Sequence, residues 1–431
     1  MKDPRVPPGP PPLLQRSKEH PNMNQGKLFE EILKPVNRPN PYPLYSQLRA
    51  APVCKQEDST YVVSTYSEIE ALLYDPRISS DERKSTRGPR PVVRARLREP
   101  GNSLPFILLD PPEHNRLRRV VMHQFTPERV EGMRGRVIQI VGELLDAQRN
   151  RSHLDIVDDF AHPLPVRVIS EMLGVPIEDK ARFEVWVSAL IRTIEPLQNV
   201  TDTEQAEERA SQAVIQMTEY LRDLIITRRD RPRDDLISAL VVSTSHEDAG
   251  QMNEQELLAS LQLLVLAGYE TTVNSITNGM LALLRHPDVL ARLRRDPDMV
   301  IRTLEEVLRY EPPVHIRTRT TLADINIVGV TIPKGATVVL LLASGSRDPA
   351  RFANPDRFDP DRTENEHFGF GRGIHYCVGA PLARMETQIA LNALVRRLVN
   401  PRLVIDPPPY RELATLRGPR HLAVTFDHID D

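Results

Sequence analysis

Cysteine is nearly missing from this sequence, whose 431 residues contain only Cys54 and Cys377. Two thiols so far apart make no disulfide framework, and that usage fits a reducing cytoplasm. An excess of one charge is missing as well. The 56 Lys and Arg nearly balance 59 Asp and Glu, for a formal net charge of -3, so neither nucleic acid nor an anionic membrane is indicated as a partner. No stretch reaches the apolar length of a membrane span. Met1 to Pro12 carries Pro7-Pro8-Gly9-Pro10-Pro11-Pro12 and cannot form the apolar core of a signal peptide. Composition thus describes a soluble, α-rich globular chain without a membrane anchor, led by a disordered Pro-rich segment over residues 1–25.

What the sequence does contain is a glycine-punctuated loop, Phe370-Gly371-Arg372-Gly373-Ile374-His375-Tyr376-Cys377-Val378-Gly379, running into an apolar-periodic helix at Ala380-Pro381. The unpaired N–H groups and positive end of that helix face the sulfur and favour thiolate over thiol. A thiolate there can bind a soft metal centre. Gly371 and Gly373 permit a tight turn close to a flat ligand, and Gly379 leaves the path to the sulfur open. His375 is placed to reach an anionic group at the ligand's edge. For one residue alone, an inert buried cysteine is the competing reading.

The longest helical pattern runs from Glu254 to Leu284, capped by Asn253 with Glu256 three positions on. At 1.5 Å per residue it spans about 45 Å. Its middle, Ala267-Gly268-Tyr269-Glu270-Thr271-Thr272, sets a small pair, an acid and two hydroxyls into an apolar element. Thr271 stands four residues after Ala267, so its hydroxyl can bond that carbonyl and bend the helix; Thr272 is rotated by about 100°. Elsewhere, Val53–Lys55 and Tyr61–Ser64 read as a strand pair, and residues 77–104 as a long irregular loop. Asp110 and Asp296 read as helix caps. A β-hairpin is expected to join Ile325–Val330 to Val338–Leu342 through Pro333-Lys334-Gly335. A closing strand pair lies around Leu403 and residues 422–426. Helices over 183–194 and 204–229 carry Phe183, Trp186, Leu190 and Ile194, read chiefly as core.

The pattern F-G-x-G-x-H-x-C-x-G resembles the haem-binding loop of the cytochrome P450 family in its soluble bacterial form. That resemblance implies a mainly α fold with a small β region, in which a long central helix lies over a haem b. It implies Cys377 as the proximal thiolate and metal ligand, His375 on a haem propionate and Phe370 near the sulfur, with Gly371 and Gly379 completing the loop. Ala267-Gly268 would form a dioxygen groove, with Glu270 and Thr271 as the catalytic acid and alcohol that deliver protons. His114 and Arg118, in D-P-P-x-H-x-x-x-R, are similar to the family's propionate-binding pair. Arg319 aligns with a further propionate arginine, Arg317 being the competing choice. Glu306 and Arg309 match E-x-x-R, with Arg357 as third member of a structural triad.

The implied activity is insertion of one atom of O2 into a small, largely apolar organic substrate, by hydroxylation or epoxidation, with a polyketide- or macrolide-like natural product favoured. A same-fold coupling enzyme, a peroxygenase and a haem sensor are the alternatives. The loop over 77–104, the helices over 183–194 and 204–229 that the resemblance makes a lid, and Val314-His315-Ile316 would face the substrate. No flavin, nicotinamide or iron-sulfur motif is present, so electrons from NAD(P)H would arrive through an external ferredoxin and ferredoxin reductase, docking at Arg372 with Arg116 or Arg119. A monomer is expected, with 26–431 as one haem-thiolate monooxygenase domain.

Overall fold

Glu254–Arg285, 32 residues long, is the axis on which the other elements pack. Asn253 Oδ1 accepts from the Glu256 N–H and the Glu256 carboxylate accepts from the Asn253 N–H, both at 2.9 Å, the reciprocal cap that the sequence signals. Every residue from Val273 to Leu283 is buried, as a helix surrounded by others must be. Pro163–Leu173, Val300–Tyr310 and Ala380–Arg397 pack against it. At Gly279 an added Cβ would stand 3.0 Å from a Leu391 methyl, so the absence of a side chain there lets Leu391 pack directly on the central helix. The structure is a computed structural model and describes residues 25–90, 93–94, 97, 103–179, 181–182, 185–186, 189, 203–242 and 252–431. The expected disorder over 1–25 falls outside these residues except for Gln25, which opens the helix Gln25–Leu33. Among the described residues no helix is long and apolar enough to cross a membrane.

The main sheet orders its strands Val53–Lys55, Tyr61–Val63, Thr337–Leu341, Ile316–Thr321 and Ile78–Ser79. The last lies inside the stretch read as irregular; two residues are too few to show a period of two. The expected hairpin is corrected. Ile325–Ile327 pairs with Val330–Ile332 around Val328 and Gly329, at φ 47° and 76°, while Thr337–Leu341 pairs with Ile316–Thr321. A valine in the left-handed region is uncommon, which hides this two-residue turn from a reading by residue type. In a smaller sheet Ala423–Thr425 lies between Arg402–Leu403 and His153–Asp155. The first pair is as expected; the His153–Asp155 strand is additional.

Trp186 is buried in the main core and its Nε1–H donates to Gln216 at 3.0 Å. Phe183, Leu190 and Ile194 lie outside the described residues. The two expected aspartate caps do not form. Pro112 occupies the cap position of Glu113–Met122, and Asp110 instead accepts from the Ser80 N–H at 3.0 Å and from Lys84 Nζ at 2.6 Å. Asp296 precedes a 3-10 turn, Pro297–Met299, without a side-chain bond to it.

The segment leading to Phe370 is braced by one buried cation. Arg309, fully buried, donates to both Glu306 oxygens at 2.7 Å and to the carbonyls of Ser346, Pro355 and Arg357. Arg357 therefore contributes its backbone and not its side chain, which is 71% exposed. The second guanidinium facing Glu306 belongs to Arg362, at 3.5 Å and 9% exposed. Arg309→Leu would remove both close hydrogen bonds to the buried Glu306 carboxylate and leave it only the longer Arg362 contact, so urea unfolding should show a loss of about 3 kcal/mol. Arg357→Ala should stay within about 0.5 kcal/mol; equal losses would contradict the assignment.

Candidate active site

One cavity of about 540 Å³ is shared by the central helix, the strand Ile316–Thr321 and the loop around Cys377. The loop owes its shape to backbone that only glycine adopts easily: Gly371 and Gly373 both have φ 68°, and a Cβ on Gly373 would lie 2.5 Å from the Leu73 carbonyl oxygen. The Cys377 N–H donates to Phe370 O at 3.0 Å, which folds the loop back on itself and presents the sulfur to the cavity. Arg384 covers the Phe370 ring with its guanidinium carbon 4.4 Å from the centroid. On the central helix, Thr271 Oγ1 donates to Ala267 O at 2.8 Å, the bond expected from the spacing. Ala267, Gly268, Thr271 and Thr272 all line the cavity, so Thr272 does not point away from it as expected.

The Cys377 thiol is pushed above its ordinary range. Burial is the largest influence and exceeds the opposing pull of the Gly379 N–H and of the Arg118, Arg317 and Arg384 charges. The helix end thus does not by itself make a thiolate. A metal bound to the sulfur would supply the missing stabilisation.

Four of the expected residues meet at one edge of the cavity. The His114 and His375 rings lie 4.3 Å apart, centroid to centroid. His375 Nε2 bonds Ser80 Oγ at 2.9 Å and His114 Nδ1 bonds Asn115 Oδ1 at 3.0 Å. His114 Nε2 and His375 Nδ1 are buried without a hydrogen-bond partner among the described residues. Burial, then the charges of Arg319 and His114, hold His375 at about 3, and burial pulls His114 down as well. Arg118 donates to Tyr376 O from the same helix face as His114. Burial, with repulsion from Arg317, pulls Arg319 to about 10. Buried polar groups are normally paired. A sulfur in the cavity, two orphaned imidazole nitrogens and buried guanidinium groups together fit a flat ligand with a metal at its centre and negative charge at its rim.

Other expectations need correction. Glu270 does not line the cavity; its carboxylate is buried behind the helix in an ion pair with Arg411. One residue along a helix turns a side chain by about 100°, and the Arg411 charge holds Glu270 on the far side of that step from Thr271. His315 is also turned away, bonding Tyr45 OH at 3.0 Å, while Val314 and Ile316 do line the cavity. Two of the docking arginines are engaged within the chain. Arg116 pairs with Glu256 at 2.5 Å, and Arg372 lies between Glu70 and Glu366 at 4.0 and 3.8 Å. Sequence reasoning missed Arg411, which arrives from a loop 141 positions beyond Glu270 with no local signal. It also missed Glu386 on the cavity wall, buried with Oε2 unpartnered among the described residues and pushed up to about 8 by burial. One helix later than the cysteine, it resembles an ordinary polar position.

A family model described as Cytochrome P450 matches residues 56–399. The chain is 43% identical over 378 residues to Cytochrome P450 monooxygenase PikC of Streptomyces venezuelae, with 86% of each protein covered. It is 40% identical over 397 residues to 6-deoxyerythronolide B hydroxylase of Saccharopolyspora erythraea, covering 90% of this chain and 96% of that one. The solved structure of P450BioI, in complex with acyl carrier protein ligated to hexadec-9Z-enoic acid, superposes with a TM-score of 0.82 at 35% identity, covering 91% of this chain and 99% of that one.

Behind the central helix, Arg411 Nη2 donates to His162 Nε2 at 2.8 Å, and His162 Nδ1 meets the Tyr269 hydroxyl. Burial, then the charges of Arg411 and Arg420, lowers His162 from 6.5 to about 3. Between those pH values the unfolded chain binds a proton that the folded chain refuses, so stability falls as pH drops from about 6.5 toward 3. Comparing unfolding at pH 7.5 and pH 5 should reveal a His162 share of up to about 2 kcal/mol. His162→Gln should reduce that dependence by this share; an unchanged slope would contradict the neutral assignment.

Proposed function

We infer the reaction from one premise: the chain belongs to the cytochrome P450 family and is a monooxygenase. That family works with haem, O2 and electrons from redox partners. We read the haem as haem b and the electron source as NAD(P)H through a ferredoxin and its reductase. When bound, the haem supplies reductive activation of O2, with thiolate ligation favouring O–O cleavage. The observation that carries this reading is a single cavity presenting both the Cys377 sulfur and the Thr271–Ala267 bond.

In this reading Cys377 ligates the iron, and metal bonding offsets what burial costs the thiolate. Arg118, Arg319, His114 and His375 receive the propionates, answering the two orphaned nitrogens. Phe370, Gly371 and Gly379 shape the sulfur's side of the cavity, and Ala267 and Gly268 the opposing helix. Thr271 holds and passes a proton at Oγ1 on the cavity side. Glu270 replenishes it from behind the helix by exchanging Arg411 for Thr271 as partner, which makes Arg411 a positioning residue.

The substrate is a largely apolar organic molecule, since Phe106, Ile169, Leu263, Leu264 and Val314 contribute to the walls. Hydroxylation or epoxidation of a polyketide- or macrolide-like natural product draws support from the likeness to PikC and to 6-deoxyerythronolide B hydroxylase. We further propose one domain over residues 26–431, acting as a cytoplasmic monomer; Cys54 and Cys377 are both free thiols, which suits that compartment. With Arg116 and Arg372 engaged, the exposed Arg119 is the remaining cation of the proposed ferredoxin face.

Thr271→Ala should consume NAD(P)H at a similar rate while product per NAD(P)H falls by about tenfold or more, the remainder appearing as hydrogen peroxide. Thr272→Ala should remain coupled. An unchanged product ratio in Thr271→Ala would remove Thr271 from the reading.

A further inference from the structure

Arg317 and Arg319 occupy positions where a sheet facing the protein core would carry apolar side chains. In the pairing of Ile316–Thr321 with Thr337–Leu341, Arg317 stands opposite Leu340 and Arg319 opposite Val338. Directly opposed residues share a face, and Leu340 and Val338 both belong to the main helical core. Ile316 and Leu341, on the other face, belong to the second core cluster. Both guanidinium groups therefore project from the sheet into the cavity.

The two are not equivalent. Arg319 is grouped with the histidine edge: its charge acts on His375, the Asp110 charge acts on it, and its Nη1 donates to Thr318 O at 2.8 Å. The charges acting on Arg317 are those of Arg90 and Arg319, which repel it, and of Cys377. Arg90 is itself paired with Glu82 at 2.5 Å. No carboxylate or hydrogen-bond acceptor among the described residues meets the Arg317 guanidinium, and the cavity that it lines also has Phe106, Leu264 and Val314 in its walls. A cation enclosed in apolar surroundings is costly unless an anion completes it.

We propose that Arg317 recognises a carboxylate carried by the substrate, so that this cavity takes an amphiphile with an apolar body and an anionic end. The inference rests on the monooxygenase reading of the cavity and adds the chemical class of its substrate. Two sources of carboxylate reach this space, the haem propionates and the substrate. Arg118, Arg319, His114 and His375 already supply donors at one edge for the former, whereas Arg317, whose charge reaches Arg319 and the Cys377 sulfur, is not among the charges acting on either histidine. A guanidinium presents a planar fork that matches a carboxylate with two parallel hydrogen bonds. The same charge disfavours substrates with a cationic end.

The test uses the haem-loaded enzyme titrated with decanoate, decan-1-ol and methyl decanoate, following the change in haem absorption that accompanies substrate binding. Decanoate should bind at least about tenfold more tightly than either neutral analogue. Arg317→Gln should bring the three within about threefold while leaving haem per chain unchanged. Arg319→Gln should lower haem retention and leave decanoate preferred in the loaded fraction. The wild-type comparison decides even where a variant does not fold: no binding of decanoate, or no discrimination among the three, overturns the proposal. Loss of haem from Arg317→Gln with decanoate still preferred also overturns it, making Arg317 a propionate ligand. Tight, Arg317-dependent decanoate binding without oxidation would leave this inference standing and count against the monooxygenase reading alone.

Discussion

Charge compensation inside a low-dielectric cavity is the constraint on which this structure turns. Burial raises the Cys377 thiol and lowers the nearby imidazoles and guanidinium groups, so the protein alone satisfies none of them well. A metal at the sulfur and carboxylates at the histidine edge would relieve these penalties together, and that shared relief would couple haem binding to the stability of the site. The rest of the fold keeps these groups from relaxing apart. Arg309 ties the Val300–Tyr310 helix to the carbonyls of Ser346, Pro355 and Arg357, and positive-φ glycines hold the loop that follows.

The central helix solves a second problem by dividing its functions between faces. A carboxylate among the apolar walls of the cavity would be expensive unless paired, and Glu270 is instead kept behind the helix with Arg411, close to His162 and Tyr269. Thr271 faces the cavity with its hydroxyl committed to Ala267 O. In the proposed reading, proton supply and the reacting space thereby lie on different faces of one helix.

Much of this was legible in the sequence because it is local. The cap at Asn253 and Glu256, the Thr271–Ala267 bond and the glycines of the Cys377 loop all depend on residues within a few positions of one another. What escaped depends on distant partners. Glu270 is turned by Arg411, Asp110 is drawn from its helix by Ser80 and Lys84, and Arg357 yields its expected side-chain position to Arg362; spacing carries no trace of these choices. The misplaced hairpin has another cause: Val328 adopts a left-handed conformation that its residue type argues against, while Pro333-Lys334-Gly335 offered a more conventional turn.

The central claim is that Cys377 is the group that holds the metal. The absorption spectrum of the reduced, CO-bound protein tests it most directly, because the position of the haem band reports the nature of the axial ligand. The account predicts the long-wavelength band of thiolate ligation in the wild type and in Cys54→Ala, and its loss in Cys377→Ala. A band of the imidazole-ligated kind in the wild type, or loss of the thiolate band in Cys54→Ala with retention in Cys377→Ala, would contradict it.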